Sequence, residues 1–186
     1  MPMIINSVRP WARMQAGVSM LEVLIALVLI TTALLGATAL QITGLQNNRS
    51  AYYRSQASLL AYDMADRLRV NAGYALANSS AYAFHSENDP LPSATSCITD
   101  INGCTDGSLR DQDLREWAEN FKDVTGIGHD GADYRPLLPG GVGSVTASGS
   151  LYSITVSWDE VDWNVGGGSN KSTESKQFSL DFNLTD

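Results

Sequence analysis

The stretch Gly17-Val18-Ser19-Met20-Leu21-Glu22-Val23-Leu24-Ile25-Ala26-Leu27 opens a long apolar run whose only carboxylate, Glu22, lies near its start. From Val23 to Asn48 there is no charged side chain. Leu24, Ile25, Leu27, Val28, Leu29, Ile30, Leu34, Leu35, Leu40 and Ile42 make this stretch apolar on every side. About 20 such residues cross a bilayer as a helix. A secretory signal has a shorter apolar core followed by a small-residue cleavage site. Here the small residue, Gly17, comes first and closes a leader carrying Arg9 and Arg13. Basic residues before the span and acidic ones prevailing after it predict a cytoplasmic leader and a head outside the inner membrane.

Working outward, the chain has no proline between Trp11 and Asp89, so nothing interrupts a helix. Past Arg49 the pattern turns amphipathic. Tyr53, Ala57, Leu60, Met64 and Leu68 recur at three- and four-residue spacing, with Arg54, Asp66 and Arg67 off that stripe. One helix from about Val18 to about Val70 is predicted, roughly 80 Å long at 1.5 Å per residue. Asn71-Ala72-Gly73 supplies its stop, since Asn and Gly accept the left-handed conformation at a C-terminus. These readings divide the chain into a leader (1–17), an apolar helix half (18–48), an amphipathic half (49–72) and a globular head (73–186).

In the head, the segment from Ala72 to Pro92 is rich in Ala, Asn and Ser and reads as an irregular connection. Leu109, Leu114, Trp117 and Phe121 predict a short helix from about Leu109 to Lys122. The period then changes to two. Tyr152, Ile154, Val156 and Trp158 alternate with Ser153, Thr155 and Ser157, and Phe178, Leu180, Phe182 and Leu184 alternate with Ser179, Asp181, Asn183 and Thr185. Two strands joined across the Gly-rich link from Asn164 to Asn170 form an antiparallel hairpin, with a third strand near Gly143 to Ser148 leading in. Pro136-Leu137-Leu138-Pro139-Gly140-Gly141 marks the turn that starts this sheet. About 115 head residues suffice for one small core.

Cys97 and Cys104 are the only cysteines. In an oxidising compartment they are close enough to bridge, whereas two thiols without a nearby His or second pair make a poor zinc set. The run from Asp100 to Gly107 alternates oxygen-bearing residues with Gly as cation loops do, but no bidentate Glu follows at the full spacing. Asp and Asn also build plain turns, so no metal is assigned and calcium stands as the alternative. Asp130-Gly131-Ala132-Asp133 is a weaker instance. His85 and His129 are single histidines in polar loops, without a Ser-centred elbow or phosphate-cradling Gly loop, and Gly166-Gly167-Gly168 neither follows a βαβ strand nor opens a helix. No catalytic residue, cofactor or small-molecule substrate is assigned. Formal net charge is −8, and losing the leader's two arginines makes it more negative still, which disfavours nonspecific nucleic-acid binding.

The stretch from Gly17 to Leu27 resembles the processing motif of type IV prepilins and type II secretion pseudopilins. The resemblance implies that a membrane peptidase cuts between Gly17 and Val18 and methylates the new N-terminus at Val18. It implies that Glu22 is the assembly charge, neutralising the amino terminus of a neighbouring subunit in a filament. Val18 departs from the family, which usually has Phe there. The stretches Asp113-Leu114-Arg115-Glu116-Trp117, Leu138-Pro139-Gly140-Gly141 and Ile154-Thr155-Val156-Ser157-Trp158 add a resemblance to minor pilins of type IV pili. The fold implied is α+β: a long N-terminal helix, membrane-spanning in its first half, packed on a small antiparallel β-sheet head. The function implied is structural, with the prepilin peptidase, other minor pilins, the major pilin, a tip adhesin and the inner membrane as partners. A type II secretion minor pseudopilin is the alternative, and a membrane-anchored periplasmic enzyme a more distant one.

Overall fold

The computed structural model describes residues 17–93, 95, 101–122, 136–162 and 172–185. In chain order the elements are α1 (Met20–Val70), α2 (Ala72–Ala77), β1 (Phe84–His85), α3 (Asp106–Glu119), β2 (Val142–Ser148), β3 (Leu151–Asp162) and β4 (Ser172–Asn183). The architecture is α+β, a long N-terminal helix with a small antiparallel sheet, as the sequence implied. By internal contacts the chain divides after Gln46 into two compact units.

In the first unit, α1 is apolar and every residue from Met20 to Leu45 is exposed. Thr31, Thr32, Thr38 and Thr43 turn their hydroxyls onto carbonyls three or four residues back, at 2.8 to 3.1 Å. Those hydroxyls therefore present no unsatisfied polar group outward, which a hydrocarbon surrounding requires.

In the second unit, α1 buries Ala57, Ala61, Met64, Ala65 and Leu68, with Tyr53 and Leu60 half-covered beside them. Three alanines on this face let the neighbouring elements approach closely. The helix ends at Val70, but not by a left-handed cap. Asn71 has φ −110° and ψ 37°, and Gly73 lies within α2. Asn71 instead turns its amide away, donating to Tyr82 Oη at 2.9 Å and to the carbonyl of Asp106 at 2.8 Å. The connection expected to be irregular between Ala72 and Pro92 contains α2 and β1, and inserts Tyr82 and Phe84 into the core.

Helix α3 starts three residues earlier than its apolar spacing suggests and stops at Glu119. Thr105 is the N-cap, its hydroxyl accepting from the Ser108 amide at 3.3 Å, which fixes the start ahead of the first apolar residue. Leu114, Trp117 and Ala118 are buried, and Phe121 follows just past the helix with its ring edge-on to Trp117.

The sheet order is β1-β2-β3-β4, antiparallel throughout, one strand more than the periodicity predicted. Tyr152 pairs with Phe182, Ile154 with Leu180 and Val156 with Phe178, so both apolar sets face one side. On β3 they are fully buried; on β4 they are half-covered. Each large apolar side chain removed from water contributes about 1.5–3 kcal/mol. The opposite face carries hydroxyls, with Thr155 and Ser179 3.2 Å apart. Before β2, Leu138 enters the core and Gly140 takes φ +57°, where a Cβ would strike the Asp159 carboxylate. Strand β4 extends six residues before its first apolar pattern position, because Ser172–Asn183 pairs along its whole length with β3. The hairpin link from Asn164 to Asn170 lies outside the described residues.

Candidate assembly surface

Ser19 precedes α1 and starts it. Its hydroxyl accepts from the Leu21 amide at 3.3 Å, and its carbonyl accepts from the amides of Glu22 and Val23 at 3.0 and 3.2 Å. Glu22 thus falls in the first turn, where the free amides and the helix dipole favour a negative charge. Around it Val18, Met20, Leu21, Val23, Leu24 and Ile25 expose roughly half or more of their surface, and the exposed apolar surface continues to Leu45. The helix is long and apolar enough to cross a membrane. A surface so rich in exposed apolar side chains belongs in lipid or against other apolar helices.

Gly17 lies just before the helix with open space around it. A Cβ there would meet nothing within 4 Å, and its φ is not in the left-handed region. Folding places no demand for glycine at this position. Val18 is 70% exposed.

A second cluster of polar groups, which the sequence reading did not single out, ties the head together. Arg67 of α1 donates through Nη1 to Glu116 at 2.7 Å and to Asp113 at 3.4 Å, both on α3, and through Nε to Asp63 at 3.0 Å. Asp113 is buried and also accepts from the Tyr82 hydroxyl at 3.0 Å. Burial pushes the Asp113 carboxyl above its usual range, against the opposing pull of Tyr82 and Arg67. Burial, with the Asp113 charge beside it, raises the Tyr82 phenol as well. Burial acts to raise Glu116 too, but the hydrogen bonds from Gln112 and Arg67 and the guanidinium charge outweigh it and hold that carboxyl below its usual value. One signal was available: Asp113 stands four residues from both Leu109 and Trp117, on the apolar face of α3.

The remaining sequence candidates are not assembled into a site. Cys97, Asp100, His129, Asp130 and Asp133 lie outside the described residues. Cys104 sits two residues before α3. Among the described residues no cysteine is free. Gly103 takes φ +75°, the conformation of a turn, and among the described residues no three His, Cys, Asp or Glu side chains converge as metal ligands. His85 belongs to β1 and pairs with Ser144 of β2.

One family model, described as Tt1218-like, type IV pilin Tt1218, matches residues 39–115. The match begins in the apolar half of α1 and runs through α2 and β1 into α3, short of both the Gly17 to Leu27 stretch and β2–β4. No curated protein and no solved structure matches the chain. The match supports a type IV pilin family, whose members are structural subunits and not enzymes.

Proposed function

We propose that the chain is a minor pilin of a type IV pilus, most like PilV, which joins other minor pilins in a complex that primes polymerisation at the tip and supports display of an adhesin. The exposed apolar half of α1, ending in a helix that belongs to the head core, is the observation that carries this reading. A subunit stored in a bilayer and then extracted into a filament needs a rod compatible with both surroundings. Moving such a rod from lipid to neighbouring helices gains little hydrophobic energy, so packing and specific polar contacts select the register.

In this reading the prepilin peptidase cuts between Gly17 and Val18 and methylates Val18. The open space around Gly17 supports a recognition role there, since the fold does not explain the glycine. Glu22 is the charge that meets the amino terminus of a neighbouring subunit. A carboxylate near the end of a membrane span is costly unless paired or solvated, which supports a partner in the assembled state. The 18–48 half spans the inner membrane and then enters the filament core, while 49–72 and the head lie in the periplasm before assembly. Cys97 and Cys104 form a disulfide that closes the loop ahead of α3.

Intact-mass analysis of the mature protein tests the processing. The expected mass lacks residues 1–17, gains one methyl group and lacks two hydrogens. A chain that keeps its leader would overturn the proposal. Co-purification then distinguishes the partners: other minor pilins and the major pilin are expected, whereas exclusive recovery of secretion pseudopilins would move the chain to the type II system.

A further inference from the structure

The sheet order ends at β4 among the described residues. Among the described residues no strand pairs with its far edge, although β4 is twelve residues long and contains neither Pro nor Gly. The outward backbone groups follow from the register. The Leu184 amide donates to the Ser150 carbonyl at 2.8 Å, so that pair is hydrogen-bonded, and the continuous register carries the alternation along the strand. Phe178, Leu180 and Phe182 therefore direct their N–H and C=O groups to β3, and Gln177, Ser179, Asp181 and Asn183 direct theirs outward. On the core-facing side, Phe178, Leu180 and Phe182 remain half-covered beside the exposed ring of Tyr62, 6.5 Å from Phe178 between centroids. An edge like this templates another strand.

The sequence of the edge says which strand. Phe178-Ser179-Leu180-Asp181-Phe182 is symmetric in its apolar positions about Leu180. Set antiparallel against itself, it places Leu180 opposite Leu180 and Phe178 opposite Phe182 on the apolar face. Ser179 falls opposite Asp181, and Gln177 opposite Asn183, as the hydrogen-bonded pairs. Lys176 meets Leu184, and over the overlapping strand residues from Gln177 to Asn183 no like charges stand directly opposite one another in this register. We propose that the β4 edge binds the β4 edge of a second copy of this chain about a two-fold axis, making an eight-stranded sheet.

The axis also fixes how the second head is oriented. Ser50 bonds Glu160, whose strand partner is Glu174, Tyr62 stacks near Phe178, and Arg69 lies over Phe182. The head half of α1 thus advances in the same direction as β4. A two-fold perpendicular to the sheet reverses both, so the paired heads are antiparallel.

Spin labels on the purified, detergent-solubilised full chain test the register, with the unsubstituted chain as the labelling blank. At 3.4 Å per residue, labels at exposed Gln177→Cys should lie about 20 Å apart across the dimer, and labels at Thr173→Cys about 48 Å apart. Leu180→Arg should abolish both distances and convert the sedimenting dimer to monomer. Should that variant fail to fold, Ser179→Pro removes an outward N–H while leaving the β3 pairing in place, and should give the same loss with the thermal transition retained. A chain that sediments as a monomer at tens of micromolar, distances that do not differ between the two sites, or a dimer indifferent to Ser179→Pro would overturn the proposal.

Discussion

The indole N–H of Trp117 in α3 donates to the main-chain carbonyl of Leu60 in α1 at 2.8 Å, joining two helices across 57 residues of sequence. Trp117 is fully buried, with Phe121 edge-on at 4.8 Å between centroids, so one side chain supplies both apolar area and the polar tie. Trp117→Phe keeps most of the area and loses the bond, and should cost about 0.5–1.5 kcal/mol. Trp117→Ala should cost about 3–5 kcal/mol. Denaturant unfolding of the detergent-solubilised chain measures both, and equal midpoints for Trp117→Phe and the parent would count against the bond.

Gly143 lies where β2 passes this aromatic pair. A Cβ there would stand 2.6 Å from the Trp117 ring and closer still to the Phe121 ring. Two buried rings cannot give way cheaply, so Gly143→Ala should destabilise the head by about 1–3 kcal/mol. Gly36→Ala, inside α1, meets open space and serves as the comparison that should not destabilise. A shift of the same size for both would show that the close approach carries no weight.

Acid acts in opposite senses on the two α3 carboxylates. Glu116 is held below its usual value, so it contributes stability above the carboxylate range that is lost as pH falls through its folded pKa. Asp113 is raised by burial, so its ionised form costs stability above that range and acidification relieves the cost. Between about pH 5 and 3, Glu116→Gln should therefore flatten the acid loss of stability, and Asp113→Asn should steepen it. Unfolding midpoints across this window check the signs; slopes unchanged from the parent in both variants would refute the assignment.

Glu22→Ala should leave membrane insertion intact, because the apolar run is untouched, and reduce incorporation into filaments. Fractionation and filament counts read the two effects separately. Normal filament number and composition would remove Glu22 from assembly.

Gly17→Val should block processing while leaving the fold alone, since the added side chain enters open space. An anchored chain of unprocessed mass is the expected product, and normal cleavage would sink the proposed cut.

Much of this was legible in the residues. Alternation of Tyr152, Ile154, Val156 and Trp158 against hydroxyl residues gave β3, and the same alternation gave the second half of β4. Its first half, polar on both faces, became a strand only because β3 was there to pair with it. The start of α3 was legible in principle, since Thr105 caps Ser108, but reading apolar positions alone placed it at Leu109. The short α2 and β1 carry no period of their own. Asn71, Tyr82 and Asp113 form one buried polar group only when three distant segments meet, and no spacing along the chain encodes that meeting.

The sequence by itself determined the unbroken helix, its apolar first half and the single carboxylate in it, because a proline-free run with one charge needs no distant partner to define it. Tertiary structure alone decided that Ala61 and Ala65 join the buried face of α1, how Arg67 spans to α3, and that among the described residues no strand pairs with the outer edge of β4. Those depend on register and on burial between segments far apart in the chain, and neither quantity is local.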